Sequence, residues 1–290
     1  MILDDYIYDS QFQFLNKNLE LKSEFNHTVL GNLKKTEFQN EYAFIKIENW
    51  DSEKLSKKII RLVWLSNSKN KLFYDFIYNE FSNYDCVYVR LNQNHTFINY
   101  LKEYKNVNFT NKLTQHLVLS HYPKTNESVL KIEKLTSQNI TIVNQIKELA
   151  SNSFKYNRFV GDKNFSQNFI NNVYSSWVSN EIENNETDIY YIHENNILNA
   201  FLLYKKNVSP LKTIKVGFIG LIATQHNSKN KNYASLLLNY AFKKAITENT
   251  NYVIANTESR NTSALNFFKK NNFKVTSTLF ESNIWVNKNL

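Results

Sequence analysis

The spacing of apolar side chains divides this chain into short elements of two kinds. Apolar residues three and four apart in SEKLSKKIIRLVWLSN and NKLFYDFIYNEF predict two helices, and the alternating EYAFIKIENW ahead of them predicts a strand. From Tyr84 the run YDCVYVRL alternates as a half-buried strand, HTFINYLKEY has the period of a short amphipathic helix, and FTNKLTQHLVLSHY returns to strand spacing. The first third therefore reads as a mixed α/β unit containing a β-α-β step.

A proline among polar residues in HYPKTNES, residues 121–128, marks a linker between two strands. The expected division is an N-terminal α/β domain over 1–122 and a second domain over 123–290. Beyond the linker, VLKIEKL predicts a strand and TSQNITIVNQIKELASNSF a helix starting at Thr136 or Ser137. SQNFINNVYSSWVSNEI sets Phe169, Val173, Trp177 and Ile182 along one helical face, and DIYYI and ILNAFLLYKK flank HENN as a hairpin. TIKVGFIGLIAT predicts a longer strand leading into a helix. Strand NYVIANTE, helix NTSALNFFKKN and strands at FKVTSTLF and NIWV complete the order β-α-α-β-β-β-α-β-α-β-β.

Composition narrows what such a chain can do. Two prolines and four glycines in 290 residues are too few to mark these turns, and Asn-rich breaks take their place. The length allows a substantial core, and no run approaches the ~18–20 apolar residues of a membrane span. MILDDYIYDSQF opens with acids rather than with a basic and then apolar leader, so the expected location is the cytoplasm. The single cysteine, Cys86 within CVYV, excludes a disulfide framework and is expected to be a buried strand residue. Histidines at 27, 95, 116, 121, 193 and 226 form neither HxxxH nor HExxH, so no metal site is expected. A net charge of +9 suits an anionic partner. The lysines are scattered and form no basic stripe, which disfavours nucleic acid and a membrane surface and leaves small phosphorylated ligands or a merely solvated face.

KNKNYASLLLNYAF, residues 229–242, follows the strand ending at Thr224. A strand, a polar turn and a helix start together expose unpaired backbone N–H groups at the positive end of the helix dipole, which suits an anion. Lys229, Asn230, Lys231 and Asn232 occupy that turn, with neither G-x-G-x-x-G nor G-K-[ST] present. A solvated helix cap has the same appearance.

Read in order, GFIGLIAT, KNKNYA, SLLLNYAFKKA, NYVIANTES and NTSALNFFKKNNF resemble the GNAT superfamily of acyl-CoA-dependent N-acyltransferases. The resemblance implies an α/β fold with a mixed sheet over 123–290, the N-terminal unit being similar to a degenerate half of that fold. The family's phosphate turn, R/Q-x-x-G-x-G/A, falls on Lys229, Asn232 and Ala234. Asparagine replaces the middle glycine, and it is the non-glycine residue that most readily takes positive φ. Acyl-coenzyme A, either acetyl-CoA or a larger acyl-CoA, is thereby implied as co-substrate. Its pyrophosphate would lie on the amides of the turn through Tyr233 and Ser235, and its pantetheine along Leu221, Ile222, Ala223 and Thr224. An N–H near Leu221 or Ile222 would face the thioester carbonyl and stabilise the charge developing there.

A second family signature, N-x-x-A-x-x-[FL]-Y-x-K-x-G-F, lines up with Asn261, Ala264, Phe267, Phe268, Lys270 and Phe273. Asn272 stands for its glycine and Phe268 for its tyrosine, whose hydroxyl protonates the departing thiolate in many members. A substitute acid, for which Tyr233 is a poor choice, or solvent-assisted departure is therefore expected. Asn261 also suits a helix cap, and Ala264, Phe267 and Phe268 suit a core.

SFKYNRFVGDKNFSQNFINNVYSSWVSNEI, residues 153–182, resembles a segment of TDP-fucosamine acetyltransferase and related sugar-nucleotide N-acyltransferases, as do EFNHTVLGNL and YDCVYVRL. The acceptor this implies is the amine of a TDP-linked amino-dideoxy sugar for surface polysaccharide, and dimers are common among such enzymes. A nucleotide diphosphate wants a cation and aromatic surface, which Tyr156, Asn157, Arg158, Phe159, Tyr174 and Trp177 would supply. Trp177 suits core packing equally well. Glu258, Asp162 and His226 are the candidate bases for the amine. A protein or peptide N-acetyltransferase and a non-catalytic acyl-CoA-binding module are the alternatives.

Overall fold

The computed structural model describes residues 33–104, 112–119, 121–122, 130–184, 187–206, 215–228 and 231–286. All of EFNHTVLGNL but its last residue, most of HYPKTNES, and Lys229 and Asn230 lie outside these. The chain divides into a unit of residues 1–115, 210–212 and 277–290 and a second of 116–209 and 213–276.

The first unit holds β1 (Leu33–Phe38), β2 (Glu41–Ile47), α1 (Asn49–Leu55), β3 (Ile59–Leu65), α2 (Lys71–Glu80), β4 (Cys86–Asn92), α3 (Thr96–Tyr104) and the later part of β11 (Lys274–Trp285). Its strands run in the order β1-β2-β3-β4-β11, with β3 and β4 parallel and the other pairs antiparallel. Ile60, Leu62, Val87, Val89, Phe280 and Ile284 on one sheet face pack with Phe73 and Ile77 of α2 and Phe97 and Leu101 of α3. Cys86 is buried in β4, as expected.

One expectation fails here. Only the start of SEKLSKKIIRLVWLSN is helical; α1 ends at Leu55, Ser56 caps it with φ 50°, and Ile59–Leu65 is a strand. Ile59, Ile60, Leu62 and Val63 are all buried, because β3 lies between β2 and β4 and is covered on both faces. A strand buried on both faces loses the alternation that would distinguish it from a helix, and its β-branched residues are then the better guide.

The second unit takes the end of β5 (Lys112–Leu119), then β6 (Glu133–Lys134), α4 (Ile140–Ser153), α5 (Gln167–Asn184), β7 (Thr187–Glu194), β8 (Ile197–Lys205), β9 (Val216–Thr224), α6 (Tyr233–Thr247), β10 (Tyr252–Glu258), α7 (Thr262–Lys270) and the start of β11. The order β10-β9-β8-β7-β6 has one parallel pair, β9 with β10. Both units are thus mixed α/β, as the periodicity predicts. Helix α4 starts after Asn139, whose side chain accepts the Ile142 N–H, and not at Thr136 or Ser137. FKVTSTLF and NIWV are one strand; the polar residues Glu281 and Ser282 between them and Asn283 at the start of the second pair with β4 and are buried.

Asparagine does the work of the missing glycines. Asn40, Asn195, Asn196, Asn232, Asn249 and Asn272 all have positive φ, between 52° and 67°. Among the described residues no helix is long and apolar enough to cross a membrane, and no cluster of His, Cys, Asp and Glu could hold a metal ion.

Candidate functional site

Strand β9 changes its pairing halfway along. Against β8 the register passes from Tyr204↔Ile219 to Leu202↔Ile222, so Gly220 and Leu221 together oppose Leu203 and form a β-bulge. On its other edge β9 pairs with β10 only from Val216↔Tyr252 to Ile219↔Ala255. From Gly220 to Thr224 the backbone groups on that edge have no ladder partner among the described residues. This fork leaves the N–H groups around Leu221 able to meet an oxygen from outside the sheet.

Two different faces flank the fork. Ile219, Ile222, Val253 and Ala255 pack against α6 and α7 in the apolar core of the unit. Gly220 faces the other way, where an added Cβ would meet the Trp177 indole of α5 at 3.4 Å and the Phe218 ring at 3.5 Å. Because strand side chains alternate, Asn256 and Glu258 at the end of β10 project to this second face.

The turn after β9 is fastened to the hairpin beside it. The Gln225 N–H donates to the Asn199 carbonyl at 2.8 Å, and the buried Ser228 hydroxyl donates to Asn199 Oδ1 at 2.6 Å. Asn232 then takes φ 58° and ψ 13° as the N-cap of α6, and its side chain caps no N–H. The first N–H groups of α6, on Tyr233, Ala234 and Ser235, have no intrahelical acceptor, and the exposed Lys231 adds charge beside them. That donor set suits a pyrophosphate. Tyr233 itself is buried, and its hydroxyl donates to Glu194; that bond, with burial and the carboxylate charge, raises it above the ordinary phenol value. Its proton is committed, so it makes a poor acid.

At the end of β10, Glu258 is buried with 6% of its side chain exposed. Arg260 Nη2 holds Oε2 at 2.7 Å, while Oε1 is buried with no hydrogen-bond partner among the described residues. The Arg260 guanidinium lies 6.0 Å from the ring of Tyr156, which is 43% exposed. The Tyr174 hydroxyl of α5 donates to the Tyr156 carbonyl at 2.9 Å, and the Tyr174 ring lies 4.6 Å from Phe154 and 6.2 Å from Trp177. The Trp177 indole N–H donates to Glu181 at 2.8 Å. Trp177 is therefore a core residue that also forms the wall over Gly220.

The remaining sequence candidates build the site more than they line it. Asn157 Oδ1 accepts from the N–H groups of Phe159 and Val160 at 2.9 and 3.1 Å, and Asp162 Oδ1 accepts from the Asn164 backbone and side chain, each at 3.0 Å. Arg158 is buried with its guanidinium 4.7 Å from the Phe159 ring, which meets Phe165 and Phe169 edge-on at 4.8 and 5.1 Å. His226 is exposed in the turn after β9. Asn261 caps α7 by accepting the Ala264 N–H, and Phe268 is buried against Phe267 and Phe273. Asn199, Ser228, Asn256 and Arg260 were not foreseen. The last two had a signal, each lying two residues from Glu258.

The sequence profile of the acetyltransferase (GNAT) family matches residues 154–273, which contain the fork, the turn and the loop before α5. No curated protein sequence matches the chain. Among solved structures, a conserved protein of unknown function from Staphylococcus epidermidis is similar at TM-score 0.58 and 10% identity, over 91% of this chain and 99% of that one. A GCN5-related N-acetyltransferase from Kribbella flavida is similar at TM-score 0.54 and 9% identity, over 95% of each chain. A tandem GNAT protein from the clavulanic acid biosynthesis pathway is similar at TM-score 0.52 and 8% identity, over 84% of this chain and 78% of that one. At such identities the likeness is one of fold.

Proposed function

We propose, from the premise that residues 154–273 carry an acetyltransferase domain of the GNAT family, that the protein moves an acyl group from acyl-CoA to the amine of a TDP-linked amino-dideoxy sugar. The observation that carries this reading is the buried Oε1 of Glu258, without a protein partner, on the face of the fork walled by Trp177. Acyl-CoA, when bound, supplies an activated acyl carbon. The α6 N–H groups and Lys231 would hold its pyrophosphate, and the β9 edge from Leu221 to Thr224 its pantetheine arm.

The chain's own groups account for the rest. An N–H in the bulge, at Leu221 or Ile222, donates to the thioester oxygen and stabilises the charge developing on it. Glu258 Oε1 accepts the proton that the attacking amine must lose, while Arg260 pins the other oxygen. The amine nitrogen bonds to the acyl carbon, and the carbon–sulfur bond breaks with its electron pair on sulfur. Phe268 has no proton to give; a thiolate with a pKa of about 8.5 leaves tolerably without one. The exposed Tyr156 with Arg260 beside it supports a nucleotide acceptor, since the ring offers a base a stacking surface and the guanidinium offers a phosphate a charge.

The test is to incubate the protein with acetyl-CoA and TDP-3-amino and TDP-4-amino sugars, measuring thiol release and the N-acylated product. Glu258→Gln is expected to lower kcat by about 10²–10⁴-fold. Turnover of peptide amines without turnover of any sugar nucleotide would sink the acceptor assignment.

A further inference from the structure

Asn256 differs from the other buried polar groups of this unit. Its Oδ1 and Nδ2 are both buried, and neither has a hydrogen-bond partner among the described residues. Leaving one such group unsatisfied costs about 1–3 kcal/mol, so a position that does so twice calls for a reason. Glu258 Oε1, two residues on, is in the same condition. Successive same-face residues of a strand lie about 6.6 Å apart, so the two side chains stand side by side. Both lie within three residues after Ala255, where the pairing of β10 with β9 stops, and both face the side of Gly220 and Trp177.

The three orphaned atoms form a definite pattern. Glu258 Oε1 accepts. Asn256 presents one acceptor and one pair of donors in a single plane. A primary amine donates to Oε1 and Oδ1, and the Nδ2 donors are then left for an oxygen close to that amine. We propose that Asn256 selects acceptors whose amine has a hydroxyl or carbonyl oxygen on the adjacent carbon. This rests on the acyl-transfer reading above and narrows its acceptor: the amine and the neighbouring oxygen are held together, the amine against Glu258 and the oxygen against the carboxamide. An acceptor lacking that oxygen would leave the carboxamide donors buried and unmatched, which is how sites built to bind a hydroxyl reject analogues without one.

The experiment uses the full chain with two matched acceptor pairs. One pair is a TDP-amino-dideoxyhexose with a hydroxyl next to its amine and its counterpart without that hydroxyl; the other is a simple vicinal amino alcohol and the corresponding alkylamine. Wild-type kcat/KM is expected to favour the oxygen-bearing member of a pair by about 10–100-fold, the range one buried hydrogen bond to a substrate can supply. In Asn256→Leu, a near-isostere, this preference should collapse to within a few-fold with CoA affinity hardly affected: both acceptors lose the amine's bond to Oδ1, and only the oxygen-bearing one also loses its bond to Nδ2. Its melting temperature should hold or rise, since no protein hydrogen bond is lost. Asn256→Asp, which keeps the acceptors and loses the donors, should lose the preference too.

A preserved preference in Asn256→Leu, or an equal loss on both members of a pair, would overturn the proposal. So would a marked drop in melting temperature with the preference intact, the mark of an amide that serves the fold. Turnover of the amino alcohol but of no sugar nucleotide would remove the TDP acceptor while the role of Asn256 is still read from the simple pair. No turnover of any of the four acceptors by the wild type would end both.

Discussion

The hydroxyl of Ser228 donates to Oδ1 of Asn199 at 2.6 Å, joining the turn before α6 to strand β8. Asn199 also takes the Gln225 N–H on its carbonyl, so one residue holds both ends of that short segment. Ser228→Ala would leave the buried Oδ1 without its donor, a loss of about 1–3 kcal/mol. We expect a lower melting temperature and CoA binding weakened about tenfold by calorimetry, with kcat at saturating acyl-CoA little changed. An unaltered dissociation constant would mean that the turn does not depend on this anchor.

Asn232 and Asn272 separate binding from folding. Both lie in the left-handed region, at φ 58° and 67°. A β-branched side chain there costs about 1–2 kcal/mol, and glycine costs little. Asn232→Val and Asn272→Val should therefore destabilise to similar extents by denaturant titration. Only Asn232→Val should also weaken CoA binding, and Asn232→Gly should retain it.

The two glycines of β9 make opposite predictions. A Cβ on Gly217 would lie 2.5 Å from the hydroxyl of the fully buried Tyr204, and at Gly220 its nearest neighbour is 3.4 Å away. Gly217→Ala should cost about 1–3 kcal/mol through overpacking. Gly220→Ala should fold normally and lower acyl-transfer activity by narrowing the fork under Trp177. Differential scanning calorimetry and a thiol-release assay on the two variants distinguish these outcomes.

His95 gives the first unit a pH dependence. Its Nε2 meets the Leu65 carbonyl at 3.1 Å and its Nδ1 accepts the Phe97 N–H at 3.1 Å, so the neutral ring satisfies both partners and a second proton would face a donor. Burial lowers its pKa, with the Leu65 carbonyl pulling the other way. The unfolded imidazole titrates near 6.5, so below that pH the unfolded chain binds more protons and stability falls; above it the contribution is complete. Melting temperatures of the wild type should decline from about pH 6.5 downward. His95→Gln should decline less over the same range.

Much of the second unit was legible because its elements obey simple periods. β7 and β8 flank an Asn-Asn turn, α6 and α7 follow polar starts, and the positive φ that a glycine would supply is found at Asn232 and Asn272. β3 was misread because burial on both faces of a central strand erases alternation, and Ile59–Leu65 then has the same apolar density as a helix.

By itself the sequence determined the mixed α/β class, the order of elements in the second unit from β6 to α7, the glycine-free turn ahead of α6 and the absence of a hydroxyl at Phe268. Those features are local, set by side-chain period, backbone preference or residue identity. Only the tertiary structure decided that Gly220 and Leu221 share one partner, that β10 leaves β9 after Ala255, and that Asn256 and Glu258 end as buried polar groups on the Trp177 face. Register and burial are relations between distant segments, and a chain read residue by residue does not contain them until its strands have paired.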